Sequence, residues 1–234
     1  MDMFQDKARF DPERDGKVPL RRSPFALLAR LVYTLASMLA SRHPLDSVRW
    51  IRSMLQRRHP LRYAMPWITF DAFRAIEHLA KPGTRVFEFG SGHSTLYWAE
   101  KGVEIHSVED DRGWHDLLAE RISGMPNAHL YFEAAQDGYV SRIEHVGGTF
   151  DVVVIDGSHR KACLAIAQEF VKPGGLLLVD NTDWHWFRDA DTLVPDDWDK
   201  QIFGGWAPFI GHRSETTIWK NSGNSRRSDK RNSV

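Results

Sequence analysis

The sequence is poor in the features that make several protein classes easy to recognise. It has a single cysteine, Cys163, in 234 residues. That permits no internal disulfide, and the expectation is a reducing, cytoplasmic compartment. It has no surplus of charge, since 31 Lys and Arg balance 31 Asp and Glu. A zero sum offers no global field for a polyanion, so no nucleic-acid partner is expected. No apolar run reaches the roughly 20 residues of a membrane span. The nearest, Phe25 to Ser41, has 17 residues with Arg30 inside it. There is no repeat period, and the first residues do not follow the charged, apolar, small-residue plan of a secretory signal. What is present is 42% hydrophobic and 26% charged residues, enough for one sizeable core with extensions.

The most informative stretch is Arg85 to Ala99, RVFEFGSGHSTLYWA. It reads as a short buried strand (Val86, Phe87, Phe89), a glycine turn (Gly90, Ser91, Gly92) and a helix opening at Ser94 or Thr95. Glycine lets a ligand approach the backbone, and the unbonded N–H groups of a first helical turn point into the same space. Glu88 adds an anionic acceptor beside them. A dinucleotide fingerprint starting at Gly90 requires glycine at position 95, where the chain has Thr95. The reading is therefore a nucleotide cofactor site, with the dinucleotide reading weakened.

Further along, Val103 to Val108 reads as a second strand ending in Glu109-Asp110-Asp111. Glu109 stands 21 positions after Glu88, a spacing that suits hydrogen bonds from ribose hydroxyls. Asp110 or Asp111 is placed to cap a helix over Trp114 to Ile122. His129 to Phe132 reads as a third strand, with Glu133 to Gly138, including Asp137, after it, and a helix over Tyr139 to His145. Phe150 to Ile155 is apolar enough to be covered on both faces, and Asp156-Gly157-Ser158-His159-Arg160 stands at its carboxyl end. A helix over Lys161 to Val171, a turn at Lys172 to Gly175, and the strand Leu176 to Val179 follow, closing in Asp180-Asn181. Strands alternating with helices give a doubly wound parallel sheet that binds ligands beyond its strands' carboxyl ends.

The combination EFGSGHST, SVEDD, VVVIDGSHR, PGGLLLVDN and SETTIWK resembles a bacterial group within the class I S-adenosylmethionine-dependent methyltransferases. The resemblance spans about Trp67 to Lys220. It implies a Rossmann-like α/β fold: a three-layer, mostly parallel sheet whose C-terminal strand is antiparallel, with Phe209 to His212 and Thr216 to Trp219 as the last two strands. It implies S-adenosylmethionine as cofactor, held by Glu88, Gly90, Ser91, Gly92, Ser94, Glu109, Asp110, Asp137 and Asp156. At the strand tips the chain is similar to cation-dependent O-methyltransferases, which implies Mg2+ held by Asp156, Asp180 and Asn181. His159 then occupies the position of a general base, beside Asp156 as the other catalytic residue. The expected reaction is O-methylation of a small-molecule or sugar (glycan) hydroxyl, with the Trp-rich stretch Asp183 to Ile202 shaping the acceptor pocket. Two other readings are a non-catalytic, membrane-associated binding module of the same fold and an NAD-dependent oxidoreductase. The last is disfavoured by Thr95 and by the antiparallel hairpin.

The domain plan runs from a disordered segment at 1–17, through a basic, partly apolar helical extension at 18–60 and the methyltransferase-like domain at 61–220, to a disordered basic tail at 221–234. Between Lys17 and Pro60 stand nine Lys or Arg and one acid, Asp46. Such an extension either covers the domain's own surface or makes peripheral contact with the inner face of a membrane through residues 20–58. A helix over Trp67 to Ala80 connects it to the sheet.

Overall fold

In the computed structural model, residues 24–56, 61–184, 187 and 190–223 are described. The expected disordered segment at 1–17 lies outside them, as does the expected disordered tail at 221–234 except for 221–223, where Asn221 is hydrogen-bonded to β5 and not disordered. The elements in chain order are α1 (Pro24–Leu39), α2 (Asp46–Gln56), α3 (Phe70–Ile76), β1 (Arg85–Phe89), α4 (His93–Glu100), β2 (Glu104–Glu109), α5 (Arg112–Ile122), β3 (Ala128–Phe132), α6 (Gln136–Val146), β4 (Phe150–Ile155), α7 (Arg160–Ala167), β5 (Val171–Asp180), β6 (Asp199–Trp206) and β7 (Arg213–Lys220). The strands form one sheet in the order β3-β2-β1-β4-β5-β7-β6. The first five run parallel, and β7 is antiparallel to both neighbours.

Alternation along the strands divides the core into two layers. Val86, Val152 and Val154 pack on one face with Ile68, Phe73 and Trp98, and against Met38 and Trp50 of α1 and α2. Phe87, Phe89, Val153 and Ile155 pack on the other with Tyr139 and Ile143 of α6 and Cys163 and Leu164 of α7. Two-residue strand periodicity is what sends neighbours to opposite faces. It also sends Glu88, between Phe87 and Phe89, to the α4 side.

Several boundaries differ from the sequence reading. The helix expected from Trp67 starts at Phe70 and ends in a 3-10 turn at Glu77–Leu79. This leaves Trp67 outside the helix. α4 opens at His93, with Gly92 as its N-cap residue. The turn expected at Lys172 to Gly175 is a bulge within β5. Phe150 pairs with Val171 and Val152 with Leu176, so two steps along β4 match five along β5. Asn221 stitches the bulge down: its backbone exchanges hydrogen bonds with Gly174 and Gly175, and its Nδ2 donates to Val171 O.

The penultimate strand is Asp199–Trp206, which begins inside the Trp-rich stretch Asp183 to Ile202, and not Phe209 to His212. Its DKQIFGGW pattern is that of a polar edge strand, a weak signal for alternation. β6 and β7 pair from Asp199↔Lys220 to Trp206↔Arg213, and Phe209 falls in the connecting turn with φ 62°.

Candidate active site

A cavity of about 320 Å³ opens at the carboxyl ends of β1 and β4, where the strand order reverses direction. Its walls include Trp67, Glu88, the Gly90–Ser94 loop, Asp111, Trp114, Asp156 and Gly157. The loop is drawn tightly onto β4: Asp156 N and Gly157 N both donate to Phe89 O, at 3.0 and 2.7 Å. Gly90 has φ +107°, and a Cβ there would lie 2.8 Å from Gly157 N. Only glycine meets both demands. Gly92, at φ +155°, lies over the Trp114 ring, whose Nε1 donates to Ser91 O at 2.9 Å.

Glu88 is the electrostatic focus of this wall. It is 2% exposed. Its Oε2 accepts hydrogen bonds from Thr95 Oγ1 at 2.8 Å and Ser107 Oγ at 3.0 Å. Its Oε1 has no hydrogen-bond partner among the described residues. Burial pushes the carboxyl up to about 7, the nearby charge of Asp156 adds to this, and the hydroxyls of Thr95, Ser94 and Ser107 pull the other way. A buried acceptor left unsatisfied at a cavity wall favours a ligand that brings a donor, above all a cationic one.

Glu109 is fully buried behind the loop. It accepts from Ser91 Oγ at 2.7 Å and from the backbone N–H groups of Asp110 and Asp111 at 3.1 and 3.0 Å. In this structure it braces the glycine loop and lies behind the cavity wall. Asp111 caps α5 by accepting from Trp114 N at 2.8 Å, and it is Asp111, not Asp110, that lines the cavity. Asp137 lies exposed in the first turn of α6, away from the cavity lining.

The strand tips correct the metal expectation. Arg160, in the first turn of α7, spans all three expected ligands. It donates to Asp156 Oδ1 at 3.0 Å, to Asn181 Oδ1 at 3.2 Å and to the backbone oxygen of Asp180 at 2.5 Å. The Asp180 carboxyl turns away and accepts from Thr216 Oγ1 at 2.5 Å. Burial and the neighbouring Asp156 charge raise its pKa. A guanidinium already supplies the positive charge a divalent ion would bring. With that cation in place and the Asp180 carboxyl bonded to Thr216, Asp156, Asp180 and Asn181 do not fit Mg2+. Asn181 instead donates through Nδ2 to Ser214 Oγ at 3.0 Å, with φ 58°.

His159 is likewise not brought to the cavity. It is the N-cap residue of α7 in a left-handed conformation, φ 52°, and its ring packs edge-on against Tyr139 at 5.6 Å between centroids. The histidine that does line the cavity is His93. Its ring packs at a tilt against Trp67 at 5.0 Å and Phe209 at 4.9 Å, with Trp114 at 6.3 Å, and its Nε2 accepts from Leu61 N at 3.3 Å. Burial lowers its pKa to about 4, so the ring is neutral. Trp67 and Phe209 also pack at a tilt, at 4.8 Å. Sequence reasoning gave Trp67 only a place in a helix and gave His93 and Arg160 no role. The signal for Arg160 was its four-residue spacing from Asp156; Phe209 left none, being far away in sequence. Of the indoles expected over the sheet, Trp184 lies 5.5 Å from the Arg160 guanidinium, Trp198 packs against the core, and Trp186 lies outside the described residues.

Comparison with known proteins agrees with this geometry. A family model described as a methyltransferase domain matches residues 87–182. No curated protein matches the sequence. Among solved structures, a TehB-like SAM-dependent methyltransferase from Corynebacterium glutamicum ATCC 13032 Kitasato superposes with a TM-score of 0.50 at 16% identity, over 75% of this chain and 96% of that one. TrmN from Thermus thermophilus gives 0.50 at 16% identity, over 78% of this chain and 55% of its own. An rRNA methylase from Streptococcus thermophilus gives 0.48 at 11%, over 63% and 95%. The expectation that nucleic acid is excluded does not stand. The inference from zero net charge was unsound, because a sum over the chain hides the nine-to-one imbalance between Lys17 and Pro60. No helix among the described residues is long and apolar enough to cross a membrane. Residues 87–182 thus match a methyltransferase-domain model, and the chain shares the fold of the TehB-like SAM-dependent methyltransferase.

Proposed function

We propose that the protein transfers a methyl group from S-adenosylmethionine to a hydroxyl oxygen of a small-molecule or sugar acceptor. The observation that carries the cofactor assignment is the unsatisfied Glu88 Oε1 at the cavity wall, beside a glycine loop drawn onto β4. Bound there, S-adenosylmethionine supplies an electrophilic methyl on a sulfonium. Glu88 would accept a hydrogen bond from its ammonium, with Ser94 alongside. The N-terminal amides of α4 and the Gly90–Gly92 backbone would shape the rest of the contact. Glu109 acts in this proposal by holding Ser91, and it becomes a direct ribose ligand once Ser91 releases it.

On the acceptor side, the aromatic rings of Trp67, His93 and Trp114 line the cavity and suit a ring, with Phe209 packed behind Trp67 and His93. Asp156, oriented by Arg160, is the carboxylate placed to accept a hydrogen bond from an acceptor hydroxyl and take its proton. His159 has no place in this reading. Rate would come mainly from alignment of the reacting groups by a rigid wall, with proton removal second.

The test is calorimetric titration of the purified protein with S-adenosylhomocysteine, followed by a screen of hydroxyl acceptors for methyl transfer. Micromolar binding together with product from a hydroxyl acceptor is the expected result. No binding, or binding of a nicotinamide dinucleotide instead, would overturn it.

A further inference from the structure

The described residues contain eleven large, exposed apolar side chains, and ten of them lie between Phe25 and Leu55. A concentration of that kind marks an interaction surface. Helix α2 is amphipathic in an unusual sense, because its inward face is held largely by polar bonds. Asp46 is gripped by two hydrogen bonds from Arg74 Nη1, at 2.9 and 3.0 Å. Trp50 Nε1 donates to Ile210 O at 2.7 Å, and Ser53 Oγ accepts from Phe209 N at 3.0 Å. Its outward stripe is apolar: Leu45, Val48, Ile51 and Leu55 recur at three- and four-residue spacing and are exposed. On α1, Thr34 and Met38 face inward while Phe25 and Val32 stand in solvent.

The charge around this stripe has one sign. Arg42, Arg49 and Arg52 are exposed beside it. The one acid among residues 24–56, Asp46, is buried and paired with Arg74 at 2.9 Å and with Arg49 at 3.6 Å, so the arginines still outnumber it. In sequence the face is flanked by Arg21 and Arg22 before it and by Arg57 and Arg58 after it.

From this combination we propose that the α1–α2 face docks on an anionic lipid surface, with the apolar stripe entering the headgroup boundary and the arginines meeting the lipid phosphates. A second copy of the chain would bring the same cations face to face. RNA would engage the arginines but leave ten apolar side chains without a role. The docked helix is joined to the site: the turn it holds through Trp50 and Ser53 carries Phe209, which packs behind Trp67 and His93 of the cavity wall. Docking therefore places the site at the lipid surface. This inference does not rest on the methyltransferase reading.

The experiment is flotation of the full chain with vesicles of phosphatidylcholine alone or mixed with phosphatidylglycerol. Wild type is compared with Val48→Glu/Leu55→Glu and with Arg42→Glu/Arg49→Glu, and each protein is also titrated with S-adenosylhomocysteine and melted to check its fold. Wild type should float with the anionic vesicles, and each double variant should lose at least about tenfold in partitioning while melting as wild type does. Three results would overturn the proposal: no flotation of wild type, an apolar variant that binds as wild type does while the arginine variant fails, or a wild-type dimer that Val48→Glu/Leu55→Glu converts to monomer without change in flotation. If cofactor binding fails in all three proteins while flotation holds, the proposed function fails and this inference stands.

Discussion

The two walls of the cavity solve the same electrostatic problem in opposite ways. At the tip of β1, Glu88 is buried with one oxygen satisfied by two hydroxyls and the other by nothing among the described residues. At the tips of β4 and β5, Asp156 and Asn181 are also drawn inward, but Arg160 meets both and the Asp180 backbone as well. One wall is incomplete without a donor from outside, and the other is already neutralised. Ligand charge should therefore be read by Glu88, whereas the Asp156 side is set up to orient and to accept.

The seam between the walls is the first place to break this arrangement. Gly90→Ala puts a Cβ against the Gly157 backbone at a φ that L residues rarely adopt. It should cost about 2–4 kcal/mol of stability, read by denaturant unfolding, and abolish cofactor binding with it. Glu88→Gln keeps the shape and removes the charge. It should weaken S-adenosylhomocysteine binding by about 30-fold, or about 2 kcal/mol, in a calorimetric titration, with little loss of fold. On the other wall, Arg160→Met leaves Asp156 without its cation. Because Asp156 is about one-third exposed, solvent screens part of the cost, and a loss of about 1–2 kcal/mol in unfolding free energy is expected. Turnover should fall more than cofactor affinity does. Should the metal reading hold after all, EDTA would remove the wild type's activity and Mg2+ would restore it; no change in either direction is expected.

The smallest effect separates the walls by pH. Folded Glu88 keeps its proton up to about 7, while the unfolded residue releases it near 4.5, so the folded state binds more protons in between and stability falls as pH rises through that window. Buried His93 acts with the opposite sign. It resists protonation down to about 4 against 6.5 when unfolded, so its contribution is lost as pH falls through that range. Buried Asp180, whose pKa is also raised, acts with Glu88, so the two outweigh His93 between about pH 4.5 and 6.5. Thermal melts of the wild type should lose stability as pH rises through that range, and Glu88→Gln should flatten the fall.

What the sequence made legible was whatever depends on neighbours in the chain. The strand, glycine turn and helix from Arg85 to Ala99, the Glu109 spacing and the apolar β4 are local patterns, and the structure builds a cavity around the first. What it concealed depends on contacts between distant segments or on conformations that leave no pattern. Arg160 meets Asp180 and Asn181 from another strand, and the same carboxylates read without it look like metal ligands. His159 was placed by its distance from Asp156 along the chain, but its left-handed backbone turns the ring onto Tyr139. Phe209 looked like a strand residue because it is apolar, yet a positive φ puts it in a turn, and α2, more than 150 residues earlier in sequence, holds it at the site.

The central claim is that Glu88 supplies the charge that recognises the cofactor, and it is tested most directly by titrating S-adenosylhomocysteine at pH 6 and pH 8 into wild type and Glu88→Gln. A bound ammonium favours the ionised carboxylate. Wild-type affinity should therefore rise from pH 6 to pH 8, with proton release on binding at the lower pH, while the variant binds weakly and without pH dependence. Equal affinity of the two proteins at both pH values would contradict the account.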